Sequence, residues 1–137
     1  MRWLVSLCAL TVALGACGGN EDEEGAEMPE TLLRIDVRLE PGADTTTRLL
    51  ECDPVGGGVA DPEAACRRLA ELENPFAPTP PDTACTEIYG GPQTATITGV
   101  LRGETVDASF SRENGCEIAR WDKLRFLLPA GGVKDHA

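Results

Sequence analysis

Histidine is almost missing from this chain: the single one, His136, stands in a terminal stretch without hydropathy pattern. No imidazole is therefore on hand in the patterned region to act as a general base or a metal ligand. Aromatic residues are few, with two Trp, one Tyr and three Phe against 15 Gly and 10 Pro. A chain of that make-up builds a small core, not a large one. Cationic residues are scarce as well, since 12 Lys and Arg face 23 Asp and Glu for a formal net charge of −11. Such a balance repels phosphate backbones and argues against nucleic acid as a partner. The apolar run from Trp3 to Ala16 is shorter than the roughly 20 residues of a membrane-spanning helix. No Cys-x-x-Cys pair occurs, which removes the usual nucleus of a tetrahedral zinc site, so no metal or other cofactor is expected.

What is present begins with an export signal. Arg2 precedes the run Trp3 to Ala16, which fits an h-region ending in small residues. The end of that run, Leu14-Gly15-Ala16-Cys17, resembles the lipobox of bacterial lipoproteins. The resemblance implies a signal peptide over residues 1–16, cleavage before Cys17 and thioether lipidation of Cys17, placing the protein on the outer face of the cell membrane. An ordinary signal peptide cut nearby, with Cys17 incidental, is the alternative. Acyl chains contribute about 0.8 kcal/mol per buried methylene to membrane binding. Residues 17–30 then read as a lipidated acidic tether, carrying Glu21, Asp22, Glu23, Glu24, Glu27 and Glu30 with almost nothing apolar. Such a segment cannot bury enough surface to order itself, and residues 18–30 reach roughly 45 Å when extended.

A folded domain is expected over residues 31–128, with residues 129–137 a loose tail. Leu33, Ile35, Val37 and Leu39 alternate with Arg34, Asp36, Arg38 and Glu40, the period of a half-buried strand. Pro41-Gly42 turns the chain into a second strand, Thr45 to Glu51, and Cys52 leads into a glycine-rich loop, Asp53 to Gly58. Asp61-Pro62-Glu63 starts a helix, with Asp61 free to cap and Pro62 suited to the first helical position. Ala65, Leu69 and Leu72 share its inner face, with Cys66 beside them, and Asn74-Pro75 stops it. Four prolines between Asn74 and Ala84 predict an extended, stiff segment. Gln93 to Leu101 and Val106 to Ser111 read as strands about the turn Arg102-Gly103-Glu104, and Leu124 to Leu128 as a closing strand. Several strands with one clear helix give an α+β fold dominated by an antiparallel sheet.

Six cysteines are present. Cys8 leaves with the signal and Cys17 is set aside for lipid, so Cys52, Cys66, Cys85 and Cys116 remain for the domain. An even number in a small exported domain reads as disulfides, with three pairings open. Enzyme chemistry is hard to assemble from what is left, because oxidised thiols offer no nucleophile. Glu87, Glu104, Asp107, Glu113 and Glu117 are not distinguished from solvated surface acids. A non-enzymatic role is expected.

Three local patterns resemble the Streptomyces subtilisin inhibitor family. They are Cys52-Asp53-Pro54 running to Ala65-Cys66, then Cys85-Thr86-Glu87-Ile88-Tyr89, then Phe110-Ser111 with Asn114 two residues before Cys116. The resemblance covers residues 31–128. It implies disulfides Cys52–Cys66 and Cys85–Cys116 and a five-stranded antiparallel sheet with two helices. It also implies a substrate-like reactive loop at Cys85, Thr86 and Tyr89, with Glu87 as the P1 residue and Glu87–Ile88 as the scissile bond. Asn114 would then support the loop from beneath by hydrogen bonds to its carbonyls. A homodimer through the sheet follows from the same resemblance.

The chain departs from the family at the specificity position, where Glu87 stands in place of the usual Met, Lys, Arg or Leu. Burying an unpaired carboxylate in an apolar pocket costs several kcal/mol. Two functions are therefore expected: a surface-tethered standard-mechanism inhibitor of a subtilisin-like or glutamate-preferring serine protease, or a non-inhibitory cell-envelope interaction module on the same scaffold.

Overall fold

The computed structural model describes residues 28–129. The expected export signal, the expected lipid site Cys17, most of the acidic stretch and the tail from residue 130 lie outside them. Within them the order is β1 (Thr31–Arg38), β2 (Thr46–Cys52), β3 (Gly56–Gly57), α1 (Pro62–Glu71), β4 (Thr94–Leu101), β5 (Glu104–Phe110) and α2 (Gly115–Lys123). The five strands form one antiparallel sheet in the order β3-β2-β1-β4-β5. The fold is α+β with two helices and two disulfides, Cys52–Cys66 and Cys85–Cys116.

Strand β1 sits at the centre, and its period of two decides which face is buried. Leu33, Ile35 and Val37 are buried, while Arg34 and Arg38 are exposed. Leu33 pairs with Leu50 of β2, and Ile35 with Ile97 of β4, so the inward residues of three strands fall in register. Ala108 and Phe110 of β5 extend that face. Ala65 and Leu69 of α1, together with Trp121, Leu124, Leu127 and Leu128 from α2 onward, complete one core cluster on it. The opposite face has no helix over it among the described residues, and Leu49 there is 45% exposed.

Helix α1 starts as the sequence dictates, with the Asp61 carboxylate accepting from the Ala64 N–H at 3.0 Å and Pro62 in the first turn. Leu72 closes it as the C-cap. Three expectations need correction. Leu124 to Leu128 is not a strand: Leu124 N–H bonds to Trp121 O, and Leu127 and Leu128 N–H both bond to Leu124 O. The run pairs with no strand of the sheet, and Leu124, Leu127 and Leu128 are buried as an irregular continuation of α2 rather than as a sheet edge. The fifth strand is instead the short β3, inside the expected glycine-rich loop, where Gly57 pairs with Leu50 and Gly56 with Glu51. The proline-rich segment is not uniformly extended, since Ala77 N–H returns to Asn74 O and Thr83 N–H to Pro80 O.

Candidate functional site

Helix α2 organises the exposed segment that follows Cys85. Asn114 is its N-cap, with the side-chain oxygen accepting from the Glu117 N–H at 3.0 Å. Cys116 lies in the first turn, and its bond to Cys85 places the two Cα atoms 5.3 Å apart. The incoming proline-rich chain is fastened to the same helix. Thr79 Oγ1 donates to Glu117 Oε1 at 2.8 Å, and Arg120 Nε donates to Ala77 O at 2.9 Å. Arg120 also pairs with Glu117 at 2.7 Å and lies 4.4 Å from the Phe110 ring centroid, tying α2 to β5.

From Thr83 to Gly91 the chain adopts neither helix nor strand. Two positions within it are anchored to the body of the domain. At the first, the Gly115 N–H donates to Thr86 O at 2.9 Å. At the second, Gly90 N–H donates to Arg112 O at 2.7 Å, and Arg112 Nε donates back to Gly90 O at 3.1 Å. Both anchors are close approaches at which a larger residue would have to push a neighbouring side chain aside. A Cβ on Gly115 would collide with the Thr86 hydroxyl, and one on Gly90 would stand 2.7 Å from Ile118 Cδ1.

Between the anchors, Glu87, Ile88 and Tyr89 all point their surface to solvent, with Ile88 61% and Tyr89 67% exposed. Two adjacent large apolar side chains this exposed, next to a carboxylate, add nothing to the core. The Glu87 carboxylate takes part in none of the four salt bridges of the described residues. An exposed segment held at both ends, with a disulfide beside one of them, can offer its backbone and side chains to a partner at low ordering cost.

The structure therefore brings Cys85, Thr86, Glu87, Ile88 and Tyr89 into one exposed loop next to Asn114. It corrects how Asn114 contributes. Its side-chain oxygen serves as a helix cap, and the hydrogen bond to a loop carbonyl comes from the backbone of its neighbour Gly115. Asn114 thus acts on the loop through the helix start. The sequence reading passed over Arg112 and Gly115, and took Gly90-Gly91-Pro92 only as a break in regular structure that loosens the loop, where the structure holds Gly90 by two hydrogen bonds. A signal for Gly115 existed in Asn114 with Glu117 three residues on, the spacing of a helix start. Arg112 had none, because nothing local marks an arginine that reaches a chain segment 22 residues away.

Comparison with known proteins points to one family. A family model described as subtilisin inhibitor-like matches residues 32–114. The chain is 37% identical over 76 residues to subtilisin inhibitor-like protein 1 of Streptomyces cacaoi, a span that covers 52% of this chain and 68% of that protein.

Proposed function

The chain belongs to the subtilisin inhibitor-like family, and on that premise we propose that it holds a serine protease by the standard mechanism, with Glu87 as P1 and Glu87–Ile88 as the scissile bond. Membership sets the chain among inhibitors rather than enzymes and makes a serine protease the partner class. The observation that carries the finer reading is the exposed run Glu87-Ile88-Tyr89 between the anchors at Thr86 and Gly90. A protease accepts such a segment as an added strand through main-chain hydrogen bonds, while the P1 side chain enters its specificity pocket. Anchoring on both sides lowers the entropy lost on binding.

Glu87 selects among proteases. An apolar pocket would have to desolvate its carboxylate without a partner, and a pocket with its own aspartate would repel it. A pocket built for glutamate supplies hydrogen bonds and positive charge instead. The deciding experiment is an inhibition panel of subtilisin-, trypsin-, chymotrypsin- and glutamate-specific serine proteases. Tight inhibition of the glutamate-specific enzyme alone supports the reading. Inhibition of none at micromolar concentration removes it and leaves the envelope-module reading.

The same proposal places the inhibitor at the membrane surface through lipid on Cys17, supported by Leu14-Gly15-Ala16-Cys17 at the end of the apolar run. Mass spectrometry of the native protein would find an acylated cysteine at the mature N-terminus; an unmodified terminus elsewhere would refute the anchor. A second copy of the chain is the partner proposed for the open sheet face, where Met28, Leu32, Leu49 and Val100 line one apolar hollow. Sedimentation of the wild type against Leu49→Glu would show the dimer and its loss.

A further inference from the structure

The two sides of the Glu87–Ile88 bond are held by different means. On the acyl side Cys85 stands two residues away and is bonded covalently to Cys116. On the amine side, β4 does not begin until Thr94, and the hydrogen bonds nearest the bond are those between Gly90 and Arg112. Arg112 is itself fixed. It is only 7% exposed, Nη1 pairs with Asp122 at 2.9 Å, and the guanidinium lies 5.9 Å from the ring centroid of the fully buried Trp121. Its main-chain oxygen and its Nε both serve Gly90, so one residue grips both main-chain polar groups of Gly90, one in each of the two peptide units that flank it. We propose that Arg112 is a positioning residue that keeps the amine side of the cut bond in place for religation. The inference rests on the reading of Glu87–Ile88 as the scissile bond.

The chemistry sets the requirement. The protease serine hydroxyl gives its proton to the protease's general base as its oxygen adds to the Glu87 carbonyl carbon, the bond to Ile88 nitrogen breaks, and that nitrogen leaves as an amine after taking the same proton back from the base, now an acid. An ester between Glu87 and the serine remains. In the reverse step the Ile88 amine attacks the ester carbonyl, its proton returns to the protease, and the serine oxygen is expelled. If water attacks first, the products are a Glu87 carboxylate and a nicked domain. Amine and water compete, and the amine wins while its effective concentration at the ester is high. The disulfide cannot supply that, because it holds the other fragment end. The Arg112 grip on Gly90, two residues beyond Ile88, supplies it.

The test uses the whole domain carrying Arg112→Gln or Arg112→Lys, in two settings: Glu87 with a glutamate-specific serine protease, and Glu87→Leu with subtilisin. Three quantities are read: the equilibrium ratio of nicked to intact domain, kcat and KM for nicking, and the thermal midpoint. Loss of a charge-assisted bond to a held carbonyl predicts a rise on the order of ten- to a hundredfold in the nicked-to-intact ratio for Arg112→Gln. That rise comes with a higher kcat and little change in KM, and it is smaller for Arg112→Lys, whose single ammonium can replace one of the arginine's contacts. A merely structural role would lower the thermal midpoint without splitting kcat from KM. If Arg112→Gln does not fold, Asp122→Asn, which frees the guanidinium at a more exposed position, is read instead and moves the ratio in the same direction by less. A folded variant with the wild-type ratio and kcat overturns the inference while the inhibitor reading stands. A wild-type domain that inhibits neither protease takes the inhibitor reading down first, and this one with it.

Discussion

The N–H of Gly115 donates to the carbonyl of Thr86 at 2.9 Å, and the same approach sets the Thr86 hydroxyl where a side chain at position 115 would stand. The first residue of α2 is thus also the floor of the exposed loop.

Gly115→Ala should accordingly disturb the loop more than the fold. The added methyl must displace the Thr86 hydroxyl, and the Thr86 Cβ at 3.3 Å must also give way. Overpacking of this kind costs about 1–3 kcal/mol, part of which the better helix propensity of alanine offsets. The thermal midpoint should fall by a few degrees at most, while proteolytic nicking at Glu87–Ile88 accelerates. Thr86→Ala in the same background removes the colliding hydroxyl and should restore slow nicking. A double-mutant cycle measures the coupling, and additive effects of the two changes would show that the close approach does not govern the loop.

The two disulfides should separate stability from loop integrity. Cys52–Cys66 spans 14 residues of sequence and Cys85–Cys116 spans 31. By the chain-entropy account their removal costs about 3 and about 4 kcal/mol. Replacing Cys52 and Cys66 by Ser should lower the thermal midpoint and leave nicking of the folded domain slow. Replacing Cys85 and Cys116 should do more: it frees the chain beside Thr86, and rapid cleavage at Glu87–Ile88 should appear well below the melting range. Denaturation curves and timed proteolysis of each pair give the two readouts.

Much of this arrangement was legible before any coordinates. The alternation in β1, the Asp61-Pro62 start of α1 and the turn at Gly103 are local signals, and the structure follows them. Leu124 to Leu128 misled because a short apolar run has no period of its own. Its neighbours decide, and here α2 delivers the chain to the core already turning. The start of α2 was overlooked because Gly115 is a poor helix former, although Asn114 and Glu117 mark it. The loop from Cys85 to Tyr89 was placed by its resemblance to the family's reactive loop, not by a local signal of its own. Its second anchor did not show, since the bond between Arg112 and Gly90 is made by tertiary structure alone.

On the open face of the sheet, Asp36 accepts from the Thr47 hydroxyl and pairs with Arg34 at 2.9 Å. The Thr47 hydrogen bond first, and Arg34 second, hold the Asp36 carboxyl below its ordinary value of 3.8, against an opposing effect of burial. A depressed carboxyl contributes stability that is fully present above its unfolded value and is lost as pH falls through the folded one. Acidification below about 3.8 should therefore weaken the domain through this residue. Thr47→Val removes the main cause, so the Asp36 titration should move up toward the ordinary value. The variant should also lose less stability than the wild type on going to acid, by about 1 kcal/mol or less at this partly exposed site. Carboxyl titration by NMR, with melting curves from neutral to acid pH, checks both. An unmoved titration would assign the depression to Arg34.

Glu87 carries the sharpest expectation, because three neighbouring features leave it nothing else to do. It is exposed, it is outside every salt bridge of the described residues, and it stands at the first of the three residues between the two loop anchors. On the proposal that Glu87 is the P1 residue, substituting it changes what enters a protease pocket without touching the core, so fold and affinity should part cleanly. Glu87→Leu removes the desolvation cost of a carboxylate in an apolar pocket and should strengthen subtilisin binding by about a hundredfold or more. Glu87→Lys should turn the domain toward enzymes whose pocket holds an aspartate. Both should weaken inhibition of a glutamate-specific protease, and neither should shift the thermal midpoint by more than a degree or two. Slow nicking confined to the bond after residue 87 is the second readout, since a working loop is cut there and nowhere else. Variants that are all digested rapidly, or that hold no serine protease at micromolar concentration, would mean that the loop does not work as bait.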